Sequence, residues 1–352
     1  MSQQLRELLQ KIGGGPHTSK NLSTEEAFKA TKLILEGQAT PAQIGAFMIA
    51  HRIKRPTVDE LLGILEAYDS LGERLQTVEG KVVVIGNPYD GRTRTVPVTP
   101  ITALILASVG IGVILHGGDA MPTKYGTPLV KIWQQLGVDF SNLTIQQTQK
   151  VFQKAHLALV YIPVHFPQAH SLVKYRDEIG KRPPFATVEL VWSPYQGPAH
   201  ILAGFVHPPT EKIFEQLLAL RTDSYTTCKG LEGSIDLPMS RPAIIGLGNL
   251  SKTTALERCI LNASDFGFSQ ADVELKSPEY ALEQIKKVIY QQAGDLWESA
   301  IFNAGFYLWR LQICQSIEEG LTMANELLKS KQTEEQLKIL QSTVKEYEKK
   351  IN

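Results

Sequence analysis

Five short β-branched runs, Val82–Ile85, Ile111–Leu115, Leu157–Ile162, His200–Val206 and Ala243–Gly246, alternate with helical stretches from Lys81 onward. That alternation restricts the fold more than any other feature, because strands separated by helices build a sheet flanked by helices. Residues 1–75 carry no such runs and read as helical throughout. Ser23-Thr24-Glu25-Glu26 is a capping box opening a helix that closes near Gly37. Thr40-Pro41 supplies an N-cap and a first-turn proline for a helix from Ala42 to Ile53. Thr57-Val58-Asp59-Glu60 caps a third, with Leu61, Leu62, Ile64 and Leu65 on its apolar side. The tail turns helical at Ser277-Pro278 and carries a further capping box at Ser316-Ile317-Glu318-Glu319. Glu334 to Asn352 reads as a charged, solvated helix. The expected fold class is α/β, a small N-terminal helical domain plus a larger α/β domain.

The first strand closes in Gly86-Asn87-Pro88-Tyr89-Asp90-Gly91, and the second leads into His116-Gly117-Gly118-Asp119. A strand ending in a glycine-containing loop is where α/β folds gather backbone N–H groups around phosphate. Here Pro88 offers no N–H, and Tyr89 fills the space through which a phosphate would approach. The architecture is that of a phosphosugar site with an altered lining.

Bulk composition narrows the partners. A length of 352 residues, 43% hydrophobic and 20% charged, is ordinary for a globular chain of one large or two unequal domains. Lys plus Arg equals Asp plus Glu, 36 of each, so any polyanion site must be a local patch. Cys228, Cys259 and Cys314 lack metal or redox spacing and read as thiols of a reducing compartment. The N-terminus is polar, no apolar run approaches membrane-spanning length, and a cytoplasmic protein with no membrane partner is expected. No Ser-His-Asp order, zinc spacing or Walker-type loop supports hydrolase, zinc or ATPase chemistry.

Leu22-Ser23-Thr24-Glu25-Glu26-Ala27, followed by Gly37-Gln38-Ala39-Thr40-Pro41-Ala42-Gln43-Ile44-Gly45-Ala46-Phe47, resembles the N-terminal domain of the anthranilate phosphoribosyltransferase family. The resemblance continues through Asp90-Gly91, His116-Gly117, Pro167 to Gly180, Gly230 to Asp236 and Asn303-Ala304, nearly the whole chain. It implies the anthranilate phosphoribosyltransferase and nucleoside phosphorylase type of fold, with a mixed central sheet flanked by helices. It also implies a homodimer through the helical domain and a site in the interdomain cleft. The division expected is 1–75, completed by helices around 168–192, against an α/β domain of 76–167 with 193–352.

The family's catalytic equipment transfers only in part. Its Gly-Thr-Gly-Gly-Asp-Gly loop corresponds to Gly86–Gly91, and its Asn-Ile-Ser-Thr element to Pro97-Val98-Thr99-Pro100, which keeps one hydroxyl. Its Lys-His-Gly-Asn-Arg becomes Leu115-His116-Gly117-Gly118-Asp119, so the phosphate cation and an acceptor amide are lost. Its magnesium-holding Asp-Glu pair falls on Ile235-Asp236, which leaves Asp236, with Glu232 nearby, as a weakened metal site. Mg2+ is called for only if a diphosphate donor is used. Arg176 stands where the family's acceptor-carboxylate arginine stands, and His116 and Arg176 are the catalytic candidates. His165, in a displaced His-Pro turn, is a weaker one.

Tyr89-Asp90-Gly91 with Arg92 and Arg94, Thr99-Pro100 and Pro122-Thr123-Lys124 is similar to the YbiB-type branch, which is associated with nucleic-acid binding by dimers. Phosphate-binding candidates are therefore Gly86, Asp90, Gly91, Arg92, Arg94, Thr99, Gly117 and Lys124, with Lys174, Lys181, Arg182 and Lys229 around them. Tyr89, Tyr125, Tyr175 and Trp192 are candidates for stacking single-stranded bases. The rival is a solvated surface, since Asp90, Asp119, Asp177, Glu178 and Glu232 lie among these cations. Three readings stay open. One is a remodelled cleft that binds single-stranded nucleic acid or another phosphorylated ligand. The second is a pentosyltransferase whose acceptor Arg176 holds, and the third is a scaffold.

Overall fold

The computed structural model describes residues 2–15, 17–249, 256–292 and 294–348. Four helices open it: α1 (Gln3–Ile12), α2 (Thr24–Leu35), α3 (Pro41–Lys54) and α4 (Val58–Leu71). Ser23, Thr40 and Thr57 each form a complete capping box, with the N3 Glu or Gln side chain returning to the N-cap amide. There follow β1 (Val82–Gly86), α5 (Thr99–Ser108), β2 (Gly112–Gly117), α6 (Leu129–Gln135), α7 (Ile145–Ala155) and β3 (Leu157–Tyr161). Four short helices, α8 (Ile162–His165), α9 (Pro167–His170), α10 (Val173–Glu178) and α11 (Phe185–Val188), lead to β4 (His200–Gly204). The chain continues through α12 (Pro208–Ala219), β5 (Ser224–Cys228), β6 (Ala243–Asn249) and β7 (Leu256–Leu261). It ends with α13 (Pro278–Ile289), α14 (Trp297–Arg310), α15 (Ile317–Lys329) and α16 (Gln332–Glu348).

The strands form one seven-stranded mixed sheet in the order β3-β2-β1-β4-β5-β6-β7. The first five in that order are parallel, and β6 and β7 add antiparallel. Side-chain alternation divides the core in two. Val83, Ile85, Val113, Leu115, Leu157 and Leu159 face a layer drawn from α5, α6 and α13 to α16. Val82, Val84, Ile114, Ala158, Val160 and Ile201 face a core shared with α2, α3, α4, α11 and α12. The helical bundle therefore shares apolar packing with the second face of the sheet. In addition, α10 contacts α3 and α11 contacts α4. Among the described residues no helix is long and apolar enough to cross a membrane.

Four expectations need correction. Strands β5 and β7, Ser-Tyr-Thr-Thr-Cys and Leu-Glu-Arg-Cys-Ile-Leu, lack a continuous apolar run and were not anticipated. Helix α16 is not solvated: Leu337, Leu340, Val344 and Tyr347 are buried against α5 and α7, while residues 349–352 lie outside the described residues. At Ser316 only half a capping box forms, because the Glu319 carboxylate accepts from Gln315 N instead of the N-cap amide. Trp192 is buried and donates to Asp69 Oδ1 at 3.1 Å, so it offers no face to a base.

Helices α2 and α4 pack closely at Gly63, where a Cβ would lie 2.1 Å from Thr24 O and 2.9 Å from Ala27 Cβ. Gly63→Ala must separate the two helices, so it should destabilise the fold by about 1–3 kcal/mol. The check is a lower urea midpoint with an unchanged m-value.

Candidate functional site

In the strand order, β1 is the point from which the chain turns first toward β2 and later toward β4. Ligands of open α/β sheets bind in the crevice outside the carboxyl ends of strands at such a switch. A cleft of about 640 Å3 lies there. His51, Arg52 and Arg55 line it from the helical bundle, and Pro88, Tyr89 and Asp90 from the β1 exit. Arg176, Arg182 and Glu189 come from the α10–α11 segment, and Phe205, His207, Glu232 and Gly233 from the exits of β4 and β5. Pro56, Pro88, Pro183, Pro184, Pro208 and Pro209 make much of the wall.

The Gly86–Gly91 loop is built for packing. A Cβ on Gly86 would stand 1.9 Å from Leu190 O, so glycine is required for the close approach of the segment after α11. Gly91 has φ +75° and abuts Gly126. Tyr89 is buried, and its hydroxyl meets His116 Nδ1 at 2.5 Å. His116 lies behind Tyr89, edge-on to Trp192, and its Nε2 has no hydrogen-bond partner among the described residues. Burial pushes the imidazole down to about 3, so it is neutral at physiological pH. Gly117 is half-buried beneath the Tyr89 ring. His165 is also structural, accepting from Tyr161 N at 3.0 Å with its Nε2 on Leu143 O at 2.8 Å.

Arg92, Thr99, Glu232 and Asp236 come together in one buried cluster. Arg92 reaches Glu232 Oε1 through Nε at 3.2 Å and Asp236 Oδ2 through Nη1 at 2.9 Å. Its Nη1 also meets Ser234 Oγ at 2.7 Å, and Nη2 meets Thr95 Oγ1. The Glu232 carboxylate accepts from the amides of Thr93, Arg94 and Thr95 at 3.1, 2.9 and 3.0 Å. Lys124 Nζ approaches it at 3.3 Å. Burial works to raise this carboxyl, but the amide bonds and the charges of Arg92 and Lys124 hold it far below the usual carboxylate range. Asp236 accepts from Val98 N at 3.0 Å and Thr99 Oγ1 at 2.7 Å, serving the otherwise uncapped start of α5. Arg94 is largely exposed, its side chain 75% accessible, with its Nε 3.8 Å from Glu232 Oε2.

A second group surrounds Arg176. Its Nη1 is 3.1 Å from Glu189 Oε2, its Nη2 4.0 Å from Asp90 Oδ2, and its Nε has no hydrogen-bond partner among the described residues. Asp90 is buried and also takes Arg182 Nε at 2.8 Å. Burial raises the Glu189 carboxyl to about 7, against the pull of Arg176. Three cleft residues were missed by the sequence reading. Arg52 and Arg55, in the basic end of α3, face the cleft without a carboxylate partner among the described residues. Their sequence signal was a His-Arg-Ile-Lys-Arg run that reads equally as a helix-terminus complement. Glu189 was signalled only by being a lone carboxylate inside the apolar stretch Val188 to Trp192.

Glu232 and Asp236 do not fit a divalent ion as they stand. Their oxygens already accept N–H and O–H donors, and the Arg92 guanidinium lies between them where a shared ion would have to sit. No group of three or more metal-ligating side chains occurs among the described residues.

Residues 6–72 match the helical bundle domain of a glycosyl transferase family, and residues 90–333 match the a/b domain of a glycosyl transferase family. Anthranilate phosphoribosyltransferase of Geobacillus kaustophilus is 28% identical over 346 residues, covering 96% of this chain and 98% of the relative. An uncharacterized protein of Aquifex aeolicus is 29% identical over 307 residues, 86% of this chain and 92% of its own. Among solved structures, Saccharomyces cerevisiae anthranilate phosphoribosyltransferase in complex with PRPP and Mg superposes with TM-score 0.83 at 15% identity, covering 98% and 99% of the two chains. The Thermus thermophilus enzyme gives TM-score 0.78 at 16% identity, with 98% and 100% covered.

Because His116 ionises near 3 when folded and near 6.5 when free, its contribution to stability is complete above pH 6.5 and is lost as pH falls toward 3. Each pH unit in that window removes about 1.4 kcal/mol for this one proton. Denaturation at a series of pH values should show the slope shallower by one proton in His116→Gln. Tyr89→Phe should cost about 1–3 kcal/mol at pH 7 by leaving His116 Nδ1 unpaired.

Proposed function

The chain belongs to the glycosyl transferase family of that helical bundle and a/b domain, and within it we propose a protein whose cleft binds a phosphate-rich ligand on side-chain cations. Single-stranded nucleic acid is the ligand class the reading favours, as in the YbiB-type branch that the sequence resembles, in preference to synthesis of phosphoribosyl anthranilate. One observation carries this: the loop and carboxylates that a sugar diphosphate and its magnesium need are engaged internally, while Arg52 and Arg55 face the cleft with no carboxylate partner among the described residues, Arg52 donating only to the Arg182 carbonyl at 3.4 Å. Guanidinium groups contact polymer phosphates readily, and Arg94 and Lys181 extend the cationic margin outward. The division into a helical unit of 1–75 with 168–192, and a homodimer through it, belong to the same proposal. The contacts of α10 with α3 and of α11 with α4 support that division.

A second reading has its own support. The near full-length relatives that are anthranilate phosphoribosyltransferases favour pentosyl transfer, with Arg176 holding an anionic acceptor. The acceptor would displace Glu189 from Arg176 and attack the anomeric carbon as the bond to the leaving diphosphate breaks. Arg52, Arg55 and Arg182 are the cations placed to offset the leaving group's charge.

Fluorescence anisotropy with labelled single-stranded DNA and RNA at roughly 50 and 200 mM salt, beside calorimetry with phosphoribosyl diphosphate and Mg2+, separates the two. Salt-sensitive polymer binding is expected. Arg52→Glu combined with Arg55→Glu should weaken it tenfold or more and reduce the log–log salt slope by about 1.4. Saturable binding of the sugar diphosphate without a polymer response would sink the first reading in favour of the second.

A further inference from the structure

We propose that this site is metal-free by construction, with the Arg92 guanidinium as its built-in cation. The inference is independent of which ligand the cleft takes.

Two main-chain anion cradles meet at the cluster. In the first, three successive amides surround one carboxylate, Thr93 N on Oε2 and Arg94 N and Thr95 N on Oε1 at 2.9–3.1 Å, joined by the Thr93 and Thr95 hydroxyls at 3.1 and 3.2 Å. Successive N–H groups converging in this way form an anion-binding nest. The second is the N-terminus of α5, with Val98 N and the Thr99 hydroxyl. Both are filled by the chain's own carboxylates, Glu232 in the nest and Asp236 at the helix. Glu232 does so from a left-handed backbone, φ 54° and ψ 23°, a conformation that favours glycine. With two internal anions in place, the position between them needs a cation, and Arg92 supplies it at 3.2 and 2.9 Å. Lys124 closes the outer side at 3.3 Å.

The charge count is then closed. Two cations with little exposure, Arg92 and Lys124, face two carboxylates, Glu232 and Asp236, and the exposed Arg94 adds a third at 3.8 Å from Glu232. A hard dication entering here would find the carboxylate oxygens already accepting donors and a buried guanidinium in its place. It would also leave the cluster with excess positive charge away from water. Side chains at the cleft must therefore do whatever a bound metal would do for a phosphate.

The test is Mn2+ titration of the full chain, followed by the electron paramagnetic resonance signal of the free ion and by melting temperature. Wild type is expected to bind no Mn2+ at this cluster up to about 1 mM, the weak end of oxygen-ligand sites. Arg92→Met, which uncovers the carboxylate pair, should bind Mn2+ at least tenfold more tightly than wild type and melt higher when it is present. Arg92→Lys, which keeps the charge, should behave as wild type. One Mn2+ per wild-type chain, lost in Asp236→Asn or in Glu232→Gln should the first not fold, overturns the proposal. A folded Arg92→Met with no gain in Mn2+ binding overturns it too. Should Arg92→Met fail to fold, the wild-type titration decides alone.

Discussion

A carboxylate removed from water must be met by donors on every side, and Glu232 meets that demand with parts of the chain that are far apart in sequence. Its partners run from Arg92 through Thr95 and include Lys124, so the β1 exit, the loop after β2 and the loop after β5 are tied at one atom group. Removing one partner from such a buried pair costs about 3–5 kcal/mol, because the remaining charge is left uncompensated. The position of α5 depends on the same knot, since Asp236 both holds Arg92 and caps the helix.

The cleft inherits its character from that arrangement. Its floor is neutralised internally: Asp90 faces Arg182 and Arg176, Glu189 faces Arg176, and Glu232 faces Arg92 and Lys124. On the helical-bundle side, Arg52 and Arg55 have no carboxylate partner among the described residues. The apolar half of the site, with Tyr89 over His116 and Trp192 beneath, is core rather than ligand surface.

Much of the architecture was legible because it is encoded locally. Capping boxes at Ser23 and Thr57 and the N-cap with proline at Thr40-Pro41 each need only adjacent residues, and the five β-branched runs correspond to strands. What was hidden is non-local or lacks its usual composition. Strand β5 is polar because its hydroxyls serve buried partners, Thr226 binding His200 and Arg310, and Thr227 binding Glu211. Helix α16 hides a buried stripe at Leu337, Leu340, Val344 and Tyr347 under its charge content. The family resemblance put Arg92, Thr99, Lys124, Glu232 and Asp236 near one cleft, but spacing gave no sign of their pairing: Arg92 and Glu232 lie 140 positions apart, and a cation and a carboxylate at that distance carry no signal of it. Gly86 stood out in the sequence only as a phosphate-binding candidate; the close approach of the Leu190 carbonyl, which requires glycine there, has no sequence signal.

The proline wall has an evolutionary consequence. Pro56, Pro88, Pro183, Pro184, Pro208 and Pro209 fix the local backbone and withdraw main-chain donors from much of the cleft. Recognition that relies on backbone amides can be altered only by refolding a loop. A cleft of this kind keeps its shape while its specificity is written in replaceable side chains, so one scaffold can exchange ligands through single substitutions at positions such as Arg52 and Arg55.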